Sequence, residues 1–128
     1  MPPQDYVSDP SLGLSYEGPL TILTSTRTFS GGEDLAYVHQ ALGRARIVGE
    51  RTGGGAHPVE HFALPGGYRC QIPVARSVIA ATGSNWEGTG VTPDIVCDAE
   101  EALEQALARI AGVVQADRRS TPATLTAR

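Results

Sequence analysis

The sequence predicts an α/β fold, a partial domain with a βαβ core, from three segments between residues 20 and 50. Residues 20–25, LTILTS, are apolar or β-branched on both faces, as in a buried parallel strand. Residues 31–42 change to helical spacing, and Gly43 follows as a helix stop. Residues 45–50, ARIVGE, read as a second short strand. The predicted apolar stripe of this helix is Leu35, Val38 and Leu42. Alternating strand and helix indicates a mixed or mostly parallel sheet.

The rest of the sequence predicts fewer regular elements. Residues 1–18 form an irregular, proline-containing lead-in, and three glycines at 53–55 require a sharp turn or a close approach of the backbone. Residues 62–64 and 68–80 read as two strands around the turn PGG. Residues 81–94 form a long loop of the kind that usually carries function.

A second helix closes the predicted domain. A short strand, IVC, precedes Asp98, which opens the helix with Glu101 at the capping-box position. Its apolar stripe comprises Leu103, Ala106, Leu107, Ile110 and Val114. Residues 117–128 lack a period and are expected to be a flexible tail.

Composition excludes several classes of function. The 128 residues suit one domain or part of a larger one, and 41% are hydrophobic, which is enough for a packed core. The net charge is −4 without a basic stripe, so we expect no nucleic-acid partner. No apolar run is long enough to span a membrane, and no signal peptide is recognisable, so cytoplasmic is the default location. All 10 basic residues are arginine, so the sequence contains no lysine.

Neither the cysteines nor any ligand-binding motif indicates a metal or a cofactor. The two cysteines, Cys70 and Cys97, are too few for a disulfide framework and are expected to be small buried side chains in strands. No CxxC, HExxH or Walker pattern occurs, so we expect no metal and no cofactor.

Ser30 in the stretch TFSGGE has two compatible interpretations. Ser30 and Glu33 fit the S-x-x-E capping box, which is routine at the start of a helix. Ser30 also follows the carboxyl end of a buried strand, where α/β proteins place their sites. The N–H of Gly31 would lie at a helix N-terminus, where it could stabilise an oxyanion.

A nucleophilic serine requires a base, and the sequence offers weak candidates. His39 falls inside the first helix and is expected to be exposed, while His61 begins a strand near an edge. His57 is the only loop histidine, yet a single histidine without an orienting acid favours a structural role. Glu87, in NWEGTG, is either a surface carboxylate or an acid that orients or shares a proton.

Three segments together resemble the tail-specific or C-terminal processing proteases of peptidase family S41. They are PLTILTSTRTFSGGE, LGRARIVGERTGGGAHP and NWEGTGVTPDI, in this order and spacing. The resemblance implies a crotonase- or ClpP-like α/β unit that cleaves protein or peptide substrates. It maps the nucleophile onto Ser30 and a glutamate of the tricorn-like branch onto Glu87, in one cleft, with Gly53, Gly54 and Gly55 in a substrate-binding loop.

This sequence departs from the pattern of the family in two places. One branch uses a Ser-Lys dyad whose lysine falls on Gly55, which this lysine-free chain cannot supply. In the tricorn-like branch the histidine comes from an earlier region that residues 1–29 do not match. Residues 19–116 therefore resemble the C-terminal half of a protease domain, completed by self-association or by a complementary half. TGGGAHP is also similar to retinoid-binding modules, so a non-catalytic binding module and an inactive remnant stay open as alternatives.

Overall fold

The computed structural model describes Ser11, Gly13 and residues 16–120, and it confirms the α/β class. The elements in chain order are β1 Thr21–Thr24, α1 Gly31–Ala41, β2 Arg46–Gly49, β3 Val59–Ala63, a 3₁₀ turn Pro65–Gly67, β4 Arg69–Pro73, β5 Ile95–Val96 and α2 Ala102–Ser120. Most of the predicted lead-in, and residues 121–128 of the predicted tail, lie outside the described residues. The second helix continues past residue 116, where the sequence pattern placed the end of the domain.

A three-stranded parallel sheet in the order β1-β2-β5 forms the centre of the fold. Ile22 pairs with Ile47, and Val48 pairs with Ile95. The segment β1-α1-β2 is therefore the predicted βαβ unit. The expectation that the first strand is buried is wrong for its middle, because β1 lies at an edge of the sheet and Leu23 is 42% exposed.

The two helices cover opposite faces of this sheet. Ile47 packs in a buried cluster with Ala36 of α1, whereas Val48 packs in a second cluster with Ala102 and Ala106 of α2. Successive residues of a strand point to opposite faces, so the neighbouring positions of Ile47 and Val48 explain this division. The result is a small core of three layers, helix, sheet and helix.

The end of α1 follows from Gly43, as the sequence predicts. Gly43 has φ +63°, which is readily available to glycine. Its N–H donates to the carbonyl of Gln40 at 2.9 Å, and the N–H of Arg44 donates to the carbonyl of His39 at 2.8 Å. These two bonds form a Schellman motif and satisfy carbonyls that the helix end leaves free.

The predicted apolar stripe of α1 does not face the sheet. Leu35 is 51% exposed and Leu42 is 64% exposed, whereas Glu33 and Ala36 are fully buried. The small side chain of Ala36 allows the helix to lie close to β2, and the larger leucines then point away from the sheet.

The predicted stripe of α2 is correct only in part. Ala106, a predicted member, packs against the sheet together with Ala102, and Ile110 is half-buried, whereas Leu103 and Leu107 are more than half exposed. Residues 99–101 form a turn, so α2 begins at Ala102 and not at Asp98. Val114 belongs to the part of α2 whose side chains are not described.

The hairpin of β3 and β4 extends from the core. All of β3 is exposed, and Phe62 pairs with Cys70. The predicted strand over residues 68–80 is too long, because β4 ends at Pro73 and Ile79 only forms an isolated bridge to Ser84. Cys70 and Cys97 are free and half-buried, so the expectation of full burial is wrong for both. In the described part of the chain, no helix combines the length and apolarity needed to cross a membrane.

Candidate active site

Ser30 lies in an unusual backbone conformation between β1 and α1. It immediately precedes the helix, as the sequence predicts, and its side chain is exposed. Its φ of +52° and ψ of −117° make it the only non-glycine residue with positive φ in the described chain. Such conformations are costly and cluster at functional sites, so this turn is a candidate centre of chemistry.

The capping of α1 leaves the Ser30 hydroxyl available. The Ser30 N–H donates to Oε2 of Glu33 at 2.8 Å, which is the glutamate half of a capping box. The Glu33 N–H lies beside the Ser30 side chain but donates to the Ser30 carbonyl oxygen at 2.8 Å. The hydroxyl itself makes no side-chain cap hydrogen bond. The helix start therefore relies mainly on the backbone of Ser30, while the Ser30 side chain faces the Glu33 N–H as in a capping box and Ser30 stays exposed.

A free N–H adjoins this hydroxyl. In the described chain the N–H of Gly31 has no hydrogen-bond acceptor, whereas the N–H of Gly32 donates to the carbonyl of Phe29 at 3.1 Å. The first N–H groups of a helix carry partial positive charge. The Gly31 N–H is therefore available to hold a negatively charged oxygen beside Ser30.

Glu33 is the most enclosed ionisable group of the site, with its side chain fully buried. Besides the Ser30 N–H, its carboxylate accepts from the Thr52 hydroxyl at 2.5 Å and from the N–H groups of Gly54 and Gly55 at 2.6 and 2.8 Å. Burial by itself raises the pKa of Glu33, but these hydrogen bonds outweigh burial and hold it below the ordinary value. Glu33 is thus an ionised carboxylate surrounded by donors.

The glycine-rich loop is packed closely against this carboxylate. Gly54 has φ +90°, and a Cβ there would lie 3.0 Å from the backbone nitrogen of Gly90. The Phe29 ring occupies the space that side chains at Gly53 and Gly55 would need. The N–H of Gly53 donates to the carbonyl of Thr28 at 3.0 Å. Since all three glycine N–H groups bond to the protein, a substrate-binding role of this loop stays a prediction.

Glu87 holds the next two residues of the same loop. Its Oε2 accepts from the N–H groups of Ala56 at 2.6 Å and His57 at 3.2 Å. The Ala56 N–H is the main cause that keeps the pKa of Glu87 below its ordinary value. No hydrogen bond joins Glu87 to Ser30 among the described residues, so the predicted catalytic role of Glu87 stays a prediction. Both glutamates nevertheless bind consecutive N–H groups of one loop.

No histidine ring hydrogen-bonds to Ser30 in the described chain. His57 is half-buried, and its Nδ1 is buried without a hydrogen-bond partner. The ring of His39, half-buried where exposure was expected, bonds to the carbonyl of Leu35 at 2.8 Å. The His61 ring bonds to the side chain of Gln71 on the exposed hairpin. No hydrogen bond joins His57 to Ser30 among the described residues, so His57 as the base stays a prediction.

Two further residues hold this site together and were not singled out from the sequence. Thr52 is 6% exposed, and its Oγ1 accepts from the Val91 N–H at 2.7 Å while its hydroxyl donates to Glu33. Trp86 is 2% exposed, and its indole N–H donates to the carbonyl of Gly55 at 3.0 Å. Their only sequence signal was proximity to the two glycine-rich segments.

The fold and the site define an α/β protein with an exposed serine on a strained strand-to-helix turn, an arrangement typical of serine hydrolases. A sequence profile of peptidase family S41 matches residues 3–97. The chain therefore belongs to peptidase family S41, as its three motifs predicted, and its fold is that of part of a protease domain.

Several solved protease structures are similar to this chain. The photosystem II D1 C-terminal processing protease is 33% identical with a TM-score of 0.54, over 64% of this chain and 21% of that one. Mature CPAF is 25% identical with a TM-score of 0.64, over 87% of this chain and 23% of that one. The tricorn protease shares the fold, with a TM-score of 0.62 and 21% identity, over 79% of this chain and 11% of that one. This chain thus spans less than a quarter of each of these three proteases.

Proposed function

We propose that this chain carries the nucleophile and one oxyanion donor of a serine peptidase that hydrolyses peptide bonds in proteins or peptides. The observation that carries this proposal is the exposed Ser30 hydroxyl, on a residue with φ +52°, next to the free N–H of Gly31. Membership of peptidase family S41 supports it.

The proposed chemistry follows from these two groups. Oγ of Ser30 attacks the carbonyl carbon of the scissile peptide bond, and the carbonyl oxygen becomes an oxyanion held by the Gly31 N–H. The hydroxyl proton passes to a base and then to the leaving amine, and water hydrolyses the resulting acyl-enzyme. One oxyanion donor of this kind contributes a factor of about 10²–10³ in turnover.

The base of this reaction is proposed to come from a group that does not contact Ser30 in this structure. The sequence has no lysine, and none of its three histidines bonds to Ser30 in the described part. A segment of a larger protein or a second chain would supply it. Glu87 would then orient the base or share its proton, because its carboxylate already lies against the loop that Glu33 ties to Ser30.

A binding module for apolar ligands is a second candidate, favoured by one observation. A cavity of about 300 Å³ lies between the sheet and α2, lined by apolar residues such as Val48, Ile95 and Ala106 and by Arg46 and Arg109. This volume is at the lower end for small-molecule sites. In that function Ser30 would be only a helix cap.

Covalent labelling distinguishes the two candidates. The purified chain is incubated with a fluorophosphonate probe, and the modified residue is located by peptide mass mapping. We expect slow but selective labelling of Ser30, because on this proposal the chain supplies the oxyanion donor while the base comes from elsewhere. Ser30→Ala should abolish labelling, whereas Ser84→Ala, which removes another exposed hydroxyl, should leave it unchanged. Labelling spread over several serines, or none at all, would reject the peptidase proposal.

A further inference from the structure

The buried carboxylate of Glu33 receives more hydrogen bonds than a helix cap requires. In a capping box, the Glu33 side chain needs to accept only one hydrogen bond, from the Ser30 N–H. Here the same carboxylate also accepts from Thr52, Gly54 and Gly55, which lie 19 to 22 positions further along the chain. The additional donors all belong to the glycine-rich loop or the residue next to it.

The four donors divide between the two carboxylate oxygens. Oε2 accepts from the N–H groups of Ser30 and Gly55, each at 2.8 Å. Oε1 accepts from the Thr52 hydroxyl and from the Gly54 N–H. One oxygen thus joins the candidate nucleophile directly to the loop, and the other fixes the plane of the carboxylate.

A hydrogen bond from Val91 orients the Thr52 hydroxyl toward Glu33. The Val91 N–H donates to Oγ1 of Thr52 at 2.7 Å, so the hydroxyl proton is left for Glu33. Val91 is 1% exposed and belongs to the core cluster around Ile47. The carboxylate is therefore tied through Thr52 to the buried core cluster around Ile47.

We infer that Glu33 is a positioning residue that fixes the Ser30 backbone against the glycine-rich loop, so that the Ser30 hydroxyl and the Gly31 N–H keep one geometry. This inference rests on the proposed peptidase function. The positive φ of Ser30 supports it, because a strained conformation persists only where its surroundings over-determine it. Small displacements of reacting groups are expensive, and about 1 Å can lower a rate about 10²-fold.

The test compares two substitutions in the same helical turn. Glu33→Gln keeps the size of the side chain but presents an amide N–H₂ to two of the four donors. Asp34→Asn is the matched control, because Asp34 is an exposed acid of the first turn whose side chain makes no hydrogen bond to the loop among the described residues. Ile47→Val is a second control that weakens the same core cluster but removes none of the hydrogen bonds to Glu33.

Two measurements are made on each variant. The first is amide hydrogen exchange of Ser30, Gly54 and Gly55 by NMR, which does not depend on any activity. We expect exchange at these amides to become at least about tenfold faster in Glu33→Gln only. The second is the rate of fluorophosphonate labelling at Ser30, which we expect to fall about 10–100-fold in Glu33→Gln and to stay near wild type in both controls.

The outcomes separate this inference from the proposed function. Unchanged exchange at the three amides, or unchanged labelling of Ser30 in Glu33→Gln, would overturn the positioning role. An equal loss of labelling in Ile47→Val would also overturn it, because the effect would then follow general stability. If the wild-type chain is protected at these amides but never labelled, the peptidase proposal fails while Glu33 still fixes the loop.

Discussion

Thr52→Val tests the hydrogen-bond network around Glu33 with a nearly isosteric change. Thr52 is 6% exposed and bridges two buried groups through one hydroxyl. It donates to Oε1 of Glu33 at 2.5 Å and accepts from the Val91 N–H at 2.7 Å. Valine fills the same space but can make neither bond, whereas Thr52→Ser keeps both and loses only a methyl group.

The expected loss of stability follows from these two bonds. The Val91 N–H would stay in the core without an acceptor, which costs about 1–3 kcal/mol. The carboxylate of Glu33 would lose one hydrogen bond to a charged group, worth about 1.5–3 kcal/mol. The two losses share one hydroxyl, and valine adds some apolar burial, so we expect about 2–4 kcal/mol in total. Thr52→Ser should cost about 0.5–1.5 kcal/mol, as for the loss of one buried methyl.

Urea denaturation measures the loss of stability in Thr52→Val and in Thr52→Ser. Trp86 is the only tryptophan and is 2% exposed, so its fluorescence reports unfolding of the core next to the loop. The free energy of unfolding is obtained by linear extrapolation to water. If Thr52→Val were no less stable than Thr52→Ser, the bonds from Val91 and to Glu33 would contribute nothing net, and the argument for the network would be wrong.

Three further predictions concern pH, turnover and the missing base. Hydrogen bonds hold the pKa of Glu33 below its ordinary 4.5, so its stabilising contribution is complete above pH 4.5 and is lost as pH falls through the lowered pKa. Thermal denaturation against pH should show this loss at higher pH in Thr52→Val, and identical profiles would contradict it. The purified chain should not cleave peptides detectably, and robust cleavage that Ser30→Ala abolishes would show that a complete site forms. Gly55→Lys should accelerate fluorophosphonate labelling about 10²-fold, but only together with Phe29→Ala, because the Phe29 ring occupies that space. If Gly55→Lys were labelled equally fast with and without Phe29→Ala, the Phe29 ring would be no obstacle to a side chain at position 55.

Local sequence patterns were sufficient for the elements around Ser30. The S-x-x-E spacing predicted the helix start, and the start of α1 directly after Ser30 confirms it. Gly43 marked the helix end because only a residue that tolerates positive φ continues smoothly into a Schellman turn. The three S41 motifs predicted the family, and the lack of lysine followed directly from composition.

Helical periodicity identified apolar stripes but did not identify the buried faces. Leu35 and Leu42 were expected in the core, yet Ala36 packs with Ile47 of the sheet and Glu33 is buried beside the glycine-rich loop. A periodic pattern shows that one side of a helix is apolar, whereas the distance to the sheet selects the residues that pack. Ala36 is small enough for close contact with β2, and this depends on the position of Ile47 in another element.

By itself, the sequence determined the turn that carries Ser30, the helix that follows it and the family to which the chain belongs. Only the tertiary structure decided that Glu33 is buried, that Glu87 binds the loop beside it and that Nδ1 of His57 is buried without a described hydrogen-bond partner. The physical reason is the range of the interactions. Capping and turn signals act over three or four residues, whereas Glu33 meets Gly54 and Gly55 only after β2 has brought the loop back beside the start of α1.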